Sequence, residues 1–229
     1  MSKILALDSS TDACSAALLL DDRLIDRFLI APRRHTHLLL PMVEELLVEA
    51  GVTLSGLDAI AFGRGPGSFA GIRIATGVAQ GLALAARLPV VPVSTLQAMA
   101  WAEGEGSAAL LTLLDARMEE IYWCAWQWHH GEPRALVEEQ VCAPAQLALP
   151  DTLMGLEVIG LGSGWRYREQ MPAALVGRLG AIEVDRYPRA AAMAQLAQRV
   201  LCQGGAVAAD LAQPVYLRDQ VAWKKKEQQ

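Results

Sequence analysis

Paired cysteines are missing from this chain. Its 229 residues include only four, Cys14, Cys124, Cys142 and Cys202, widely scattered and with no CxxC pair. Zinc ribbons and disulfide frameworks require such spacing, so free thiols in a reducing compartment are expected. Histidine is scarce too. His35 and His37 stand two apart, which on a helix sends them to different sides, and His129 and His130 fall at a hairpin tip. With no carboxylate between them they read as solvated polar residues, not as a metal site. No apolar run approaches the ~20 residues of a membrane-spanning helix. No signal or transit sequence precedes Ile4, so a cytoplasmic protein with no membrane association is expected. Repeats at solenoid spacing and low-complexity segments are absent.

Positive charge is also in deficit, with 20 basic against 25 acidic residues and a net charge of −5. Independent binding to nucleic acid draws on Lys and Arg neutralising phosphates, so this balance disfavours it. The one dense basic run, Lys224-Lys225-Lys226, reads as a solvated tail. A serine hydrolase is poorly supported as well. Ser68 lies in Pro66-Gly67-Ser68-Phe69-Ala70, where both outer glycines of a G-x-S-x-G elbow are replaced. Ser68 is expected to cap the helix that follows.

What is present is a soluble-type composition, 53% hydrophobic and 20% charged, sufficient for one large domain or two lobes. Strands are expected at Ile4–Leu7, Cys14–Leu20 and Leu24–Ile30, with polar turns at Asp8–Asp12 and Asp21-Asp22. A helix follows from about Thr36, as N-cap, to Ala50, with Gly51 as its stop; Pro41 either delays its start or kinks its first turns. Then come a strand at Leu57–Phe62, a helix from Ser68 to Arg87 and the strand Pro89–Val93. This order predicts an α/β protein with mixed sheets flanked by helices, as in each half of the actin-like, two-lobe folds. Residues 1–103 form the expected first lobe and 104–229 the second. Further strands are expected at Ala108–Leu114, Ile121–Gln127, Leu136–Cys142 and Glu157–Leu161, and a helix at 189–203 that can pack back on the first lobe.

The segment Gly63-Arg64-Gly65-Pro66-Gly67-Ser68-Phe69-Ala70-Gly71-Ile72-Arg73 is the most specific feature. A glycine-rich turn from strand into helix exposes backbone N–H groups at the positive end of a helix dipole, which suits an anion. Gly65, Gly67 and Ser68 are thus candidates for a vestigial or shared nucleotide loop. The turn at Asp8–Asp12, the turn at Asp115 and Gly160-x-Gly162-x-Gly164 stand where an actin-like ATPase grips its nucleotide. The Asp115 turn has no glycine, however, and Ala116, Arg117 and Met118 put side chains where backbone should meet phosphate.

Both helices of the first lobe carry surplus apolar surface. In the first, Leu39, Met42, Val43, Leu46 and Ala50 should face the sheet, which leaves Leu40 and Leu47 as a second stripe. In the second, Ile74, Val78, Leu82 and Ala85 form the expected core face, and Thr76, Gly77, Gln80, Gly81 and Leu84 a flat one. Mid-helix glycines cost about 1 kcal/mol each against alanine, so they suggest close packing. That packing is either a helix–helix contact between chains or a contact within this one. The interface candidates are Leu40, Leu47, Arg73, Thr76, Gly77 and Gln80.

Taken in order, Ile4–Thr11, Pro32–His37, Gly63–Arg73, Asp115–Tyr122 and Pro214–Arg218 resemble the TsaB family of bacterial tRNA threonylcarbamoyladenosine biosynthesis proteins, an M22 glycoprotease-like group. The resemblance implies a non-catalytic paralogue of TsaD. In TsaD an HxxxH metal motif follows the glycine-loop helix; here Thr95 and Met99 stand in those places. It further implies TsaD and the small ATPase TsaE as partners, a homodimer in isolation, tRNA contact only through the complex and no cofactor of its own beyond a nucleotide at the TsaD joint. That assembly transfers a threonylcarbamoyl group to the adenosine beside the anticodon of ANN-decoding tRNAs. The rival readings are an M22-type metallopeptidase and an actin-fold small-molecule kinase.

Overall fold

Strand β1 (Lys3–Asp8) is apolar on both faces because both are covered. Leu5 and Leu7 enter one buried cluster, Ile4 and Ala6 another on the opposite side. The computed structural model describes residues 2–106, 108–153 and 155–218, so the Lys224–Lys226 tail lies outside the described residues. Around β1, strands β2 (Ala13–Leu20) and β3 (Arg23–Ile30) add antiparallel, and β4 (Ala59–Gly65) and β5 (Val90–Ser94) add parallel. The resulting sheet order is β3-β2-β1-β4-β5.

Helices α1 (His35–Ala50) and α2 (Phe69–Ala86) lie on the Leu5/Leu7 face. Helix α3 (Thr95–Glu103) joins the two halves: Ala98 belongs to the first sheet's cluster, while Leu96, Met99 and Ala100 pack with Leu110, Leu114 and Trp126 of the second. That second sheet is built from β6 (Ala109–Arg117), β7 (Glu120–His129), β8 (Glu132–Ala135), β10 (Val158–Leu161) and β11 (Leu179–Glu183), with β9 (Gln140–Cys142) paired on β7. Read from β8, its order is β8-β7-β6-β10-β11, with two antiparallel pairs and then two parallel ones. The two sheets therefore repeat one topology, the pattern of an actin-like α/β fold. A short helix α4 (Ala173–Val176) precedes β11. Helix α5 (Ala190–Cys202) then crosses back and buries Met193, Ala194 and Ala197 against the Ile4/Ala6 face of the first sheet.

Several local expectations need correction. Helix α1 begins at His35 and runs through Pro41, and Arg34, not Thr36, holds the N-cap position with no side-chain bond. Gly51 does end it, in the left-handed conformation at φ 65°. Of the expected strand Leu136–Cys142 only the end is strand, as β9 (Gln140–Cys142), while β8 (Glu132–Ala135) forms upstream in the segment read as a connection. His35 is buried rather than solvated, whereas His37, His129 and His130 are exposed.

On α2 the face is turned. Ile72, Ala75, Thr76, Ala79 and Ala83 are buried, while Ile74, Val78 and Leu82 are only half-buried and Ala85 is exposed. Small side chains let the helix axis come close to the sheet, and the bulky residues fill the margin beside α1. By length and composition α2 could cross a membrane, with mean hydropathy 1.4 over 18 residues, against the expectation that no run does so. Its alanine face seated on the sheet marks it as a core helix.

Candidate functional site

Three turns named from the sequence meet at one cleft of about 410 Å³ between the two sheets. Ser10, Thr11 and Asp12 come from the turn after β1, and Gly67 and Ser68 from the glycine loop. Asp115 and Arg117 come from the β6–β7 hairpin, and Ser163 from the segment after β10. Gly65 does not line it. Arg166 and Arg218 add positive charge at the walls.

The glycine loop is held by the chain itself. The Ser68 N–H donates to the Ser10 carbonyl at 2.7 Å, the Ser9 hydroxyl to the Gly71 carbonyl at 2.7 Å and the Thr95 hydroxyl to the Pro66 carbonyl at 2.5 Å. Ser68 also caps α2, its hydroxyl accepting from the Gly71 N–H. A Cβ at Gly67 would lie 2.4 Å from the Ser10 carbonyl oxygen, and one at Gly71 1.9 Å from that of Ser9. These glycines let the loop cross the β1 turn at backbone contact. The second glycine group behaves likewise: Cβ atoms at Gly160, Gly162 and Gly164 would strike Trp165, the Leu113 carbonyl and the Leu113 side chain.

Across the cleft the hairpin turn holds Arg117, Met118 and Glu119 all at positive φ, with the Asp115 carboxylate accepting from the Arg117 backbone and side chain. Arg117 lines the cleft from this side. In the glycine loop the Ser68 N–H and the Cβ positions of Gly67 and Gly71 are taken up by the β1 turn. Behind the loop lies Asp8, fully buried. One carboxyl oxygen accepts from the Ser10 N–H and hydroxyl, and the other has no partner among the described residues. Burial pushes its pKa up to about 7, against the opposing pull of the Ser10 bonds.

Thr95 and Met99 sit one turn apart on α3, capped by the Ser94 hydroxyl accepting from the Gln97 N–H at 3.1 Å. Both are buried. The Thr95 hydroxyl is used on the glycine loop, and the Met99 methyl packs where a Cβ at Gly162 would be. Among the described residues no group of three His, Cys, Asp or Glu side chains converges.

The other feature with surplus surface is the outer face of α1 and α2. Leu40 is 46% exposed, Val48 81% and Leu84 62%, and Leu47 is half-buried. Among the described residues a Cβ at Gly77 or Gly81 would meet nothing within 4 Å, so no close packing there explains those glycines. Thr76 points inward, its hydroxyl donating to the Ile72 carbonyl, and the Gln80 amide donates to the Ala212 carbonyl. Arg73 is exposed beside Phe69 and Tyr216.

The sequence model of TsaD, tRNA N6-adenosine threonylcarbamoyltransferase, matches residues 29–226. The chain is 40% identical over 234 residues to the tRNA threonylcarbamoyladenosine biosynthesis protein TsaB of Escherichia coli K12, with 97% of each covered. It is 40% identical over 238 residues to the protein of that name from Haemophilus influenzae, covering 97% of this chain and 96% of that one. Among solved structures, a Pseudomonas aeruginosa protein described by its similarity to peptidase YeaZ superposes with a TM-score of 0.89 at 45% identity, over 95% of this chain and 100% of the other. A second structure, YeaZ from Pseudomonas aeruginosa, gives 0.88 at 45% identity. With relatives alike almost end to end in sequence and in fold, this chain belongs to the TsaB family of tRNA threonylcarbamoyladenosine biosynthesis proteins.

Proposed function

We propose that the chain is a non-catalytic scaffold and activator in tRNA threonylcarbamoyladenosine biosynthesis. It acts in the cytoplasm beside a TsaD-type subunit that carries the chemistry and a TsaE-type ATPase. The assembly transfers a threonylcarbamoyl group to the adenosine next to the anticodon, and tRNA is held by the complex, consistent with a net charge of −5 here. The observation that carries the reading is the condition of Thr95 and Met99. Where the sister subunit places metal-binding imidazoles, this chain has a hydroxyl committed to Pro66 and a thioether packed on Gly162.

The outer face of α1 and α2, with Leu40, Leu47, Arg73 and Gly77, is the partner surface on this reading, and a homodimer competes for it. Exposed leucine and valine beside a glycine-flattened lane give an apolar, closely approachable face. The metallopeptidase and kinase readings are not favoured, because the relatives alike almost end to end are named as tRNA threonylcarbamoyladenosine biosynthesis proteins. The test is transfer from threonylcarbamoyl adenylate to tRNA by the purified chain with divalent metal and no TsaD-type subunit. Background modification is expected; substantial product would refute the proposal.

A further inference from the structure

Arg73 is held in an unusual way for an exposed arginine. Its guanidinium carbon lies 3.6 Å from the Phe69 ring centroid and 5.4 Å from that of Tyr216, and its Nε donates to the Tyr216 hydroxyl at 2.8 Å. The two rings stand 5.8 Å apart and stay exposed, Phe69 at 57% and Tyr216 at 44%. Stacking and the Nε bond fix the plane of the group. Its two terminal nitrogens nevertheless have no hydrogen-bond or carboxylate partner among the described residues. Arg64 and Arg117 differ in this respect, pairing with Glu139 and Asp115.

The surroundings indicate what meets that edge. Phe69, Arg73, Gly77 and Gly81 recur every four residues, so they share one side of α2, and a Cβ at either glycine would meet only open space. The lane thus has a cationic, aromatic head, a flat middle and the exposed Leu84 near its far end. A partner helix can lie along the glycines at close range. We infer that Arg73 is a preorganised anchor for a side-chain carboxylate on a helix of the partner subunit, taken bidentately by the free guanidinium edge. The inference rests on the partner-face reading above. A nucleic-acid phosphate would suit the guanidinium too, but not the glycine lane, Leu84 or the chain's acidic balance.

The test is calorimetric titration of the full chain with the TsaD-type subunit of the same cell, using Arg73→Ala, Arg73→Lys and Arg73→Glu. Arg73→Ala is expected to weaken binding by about 30-fold or more, as truncation of one partner of a desolvated ion pair does. Arg73→Glu should lose more. Arg73→Lys keeps the charge without the fork and should recover only a small part. The isolated variants should stay folded, with melting temperatures lowered by at most about 5 °C through loss of the Phe69 stacking and the Tyr216 bond. Gly77→Glu separates the two levels of the argument. If it leaves the affinity intact, the partner face itself is wrong. If it abolishes binding while the Arg73 series stays within about twofold, the face stands and the carboxylate anchor is overturned. Full recovery in Arg73→Lys, or an effect confined to tRNA binding by the chain alone, would also overturn it.

Discussion

Two glycines six residues apart on α2 should respond to alanine in opposite directions. At Gly71 the new Cβ would sit 1.9 Å from the Ser9 carbonyl oxygen and 3.0 Å from its carbon. The obstacle is backbone, and the Ser9 hydroxyl holds that turn in place through the Gly71 carbonyl. Overpacking of this kind costs about 1–3 kcal/mol, and a backbone obstacle points to the upper end. Helix propensity returns about 1 kcal/mol, leaving a net loss of roughly 2 kcal/mol for Gly71→Ala. At Gly77 nothing lies within 4 Å, so only the propensity gain remains and Gly77→Ala should stabilise the monomer by about 0.5–1 kcal/mol. For a chain of this size, 1 kcal/mol moves the melting temperature by about 2–4 °C. Urea unfolding and thermal melts of both variants measure this. A Gly71→Ala protein as stable as the parent would show that the loop does not cross the β1 turn at backbone contact. A destabilised Gly77→Ala monomer would show that the outer face is packed after all.

Other outcomes follow from single groups. Folding raises the Asp8 pKa from 3.8 to about 7, so its contribution is complete below about pH 4 and is lost as pH rises through about 7. Asp8→Asn cannot ionise and should gain stability relative to the parent between about pH 5 and pH 8; parallel pH–stability curves would contradict the buried carboxyl. Thr112→Val removes the hydroxyl that accepts from the buried Trp126 ring N–H at 2.8 Å, and should cost about 1–3 kcal/mol in urea unfolding. No change would mean that another acceptor reaches the indole. The Arg73 titration adds a binding outcome to these stability tests.

The strands of the first sheet were legible because β-runs such as Lys3–Asp8 and Ala13–Leu20 are apolar and bounded by polar turns, whereas the short, partly exposed β8 and β11 of the second were not. The convergence of the Asp8–Asp12, glycine-loop and Asp115 turns on one cleft was legible from their order along the fold. The α2 core face was not. Its sheet-facing residues are mainly alanines, while the larger Ile74, Val78 and Leu82 lie toward the margin, so reading by side-chain size selected the wrong stripe. Helix α3 was missed although Ser94-x-x-Gln97 carries a capping-box signature and Ser94 does cap it. The glycines at 67, 160, 162 and 164 look like ligand contacts in sequence. Only the tertiary structure shows that each faces the chain's own atoms. The Phe69–Arg73–Tyr216 cluster joins residues 143 positions apart and could not be read locally.

On the proposed function, this polypeptide activates a catalyst without being one. The most direct test of that role holds the TsaD-type subunit and tRNA fixed and titrates this chain, following threonylcarbamoyl incorporation. No product above background is expected from the chain by itself, and the rate should climb to a plateau at equimolar subunits. A rate that keeps growing in proportion to this chain beyond that point, or substantial product before any TsaD-type subunit is added, would contradict this role.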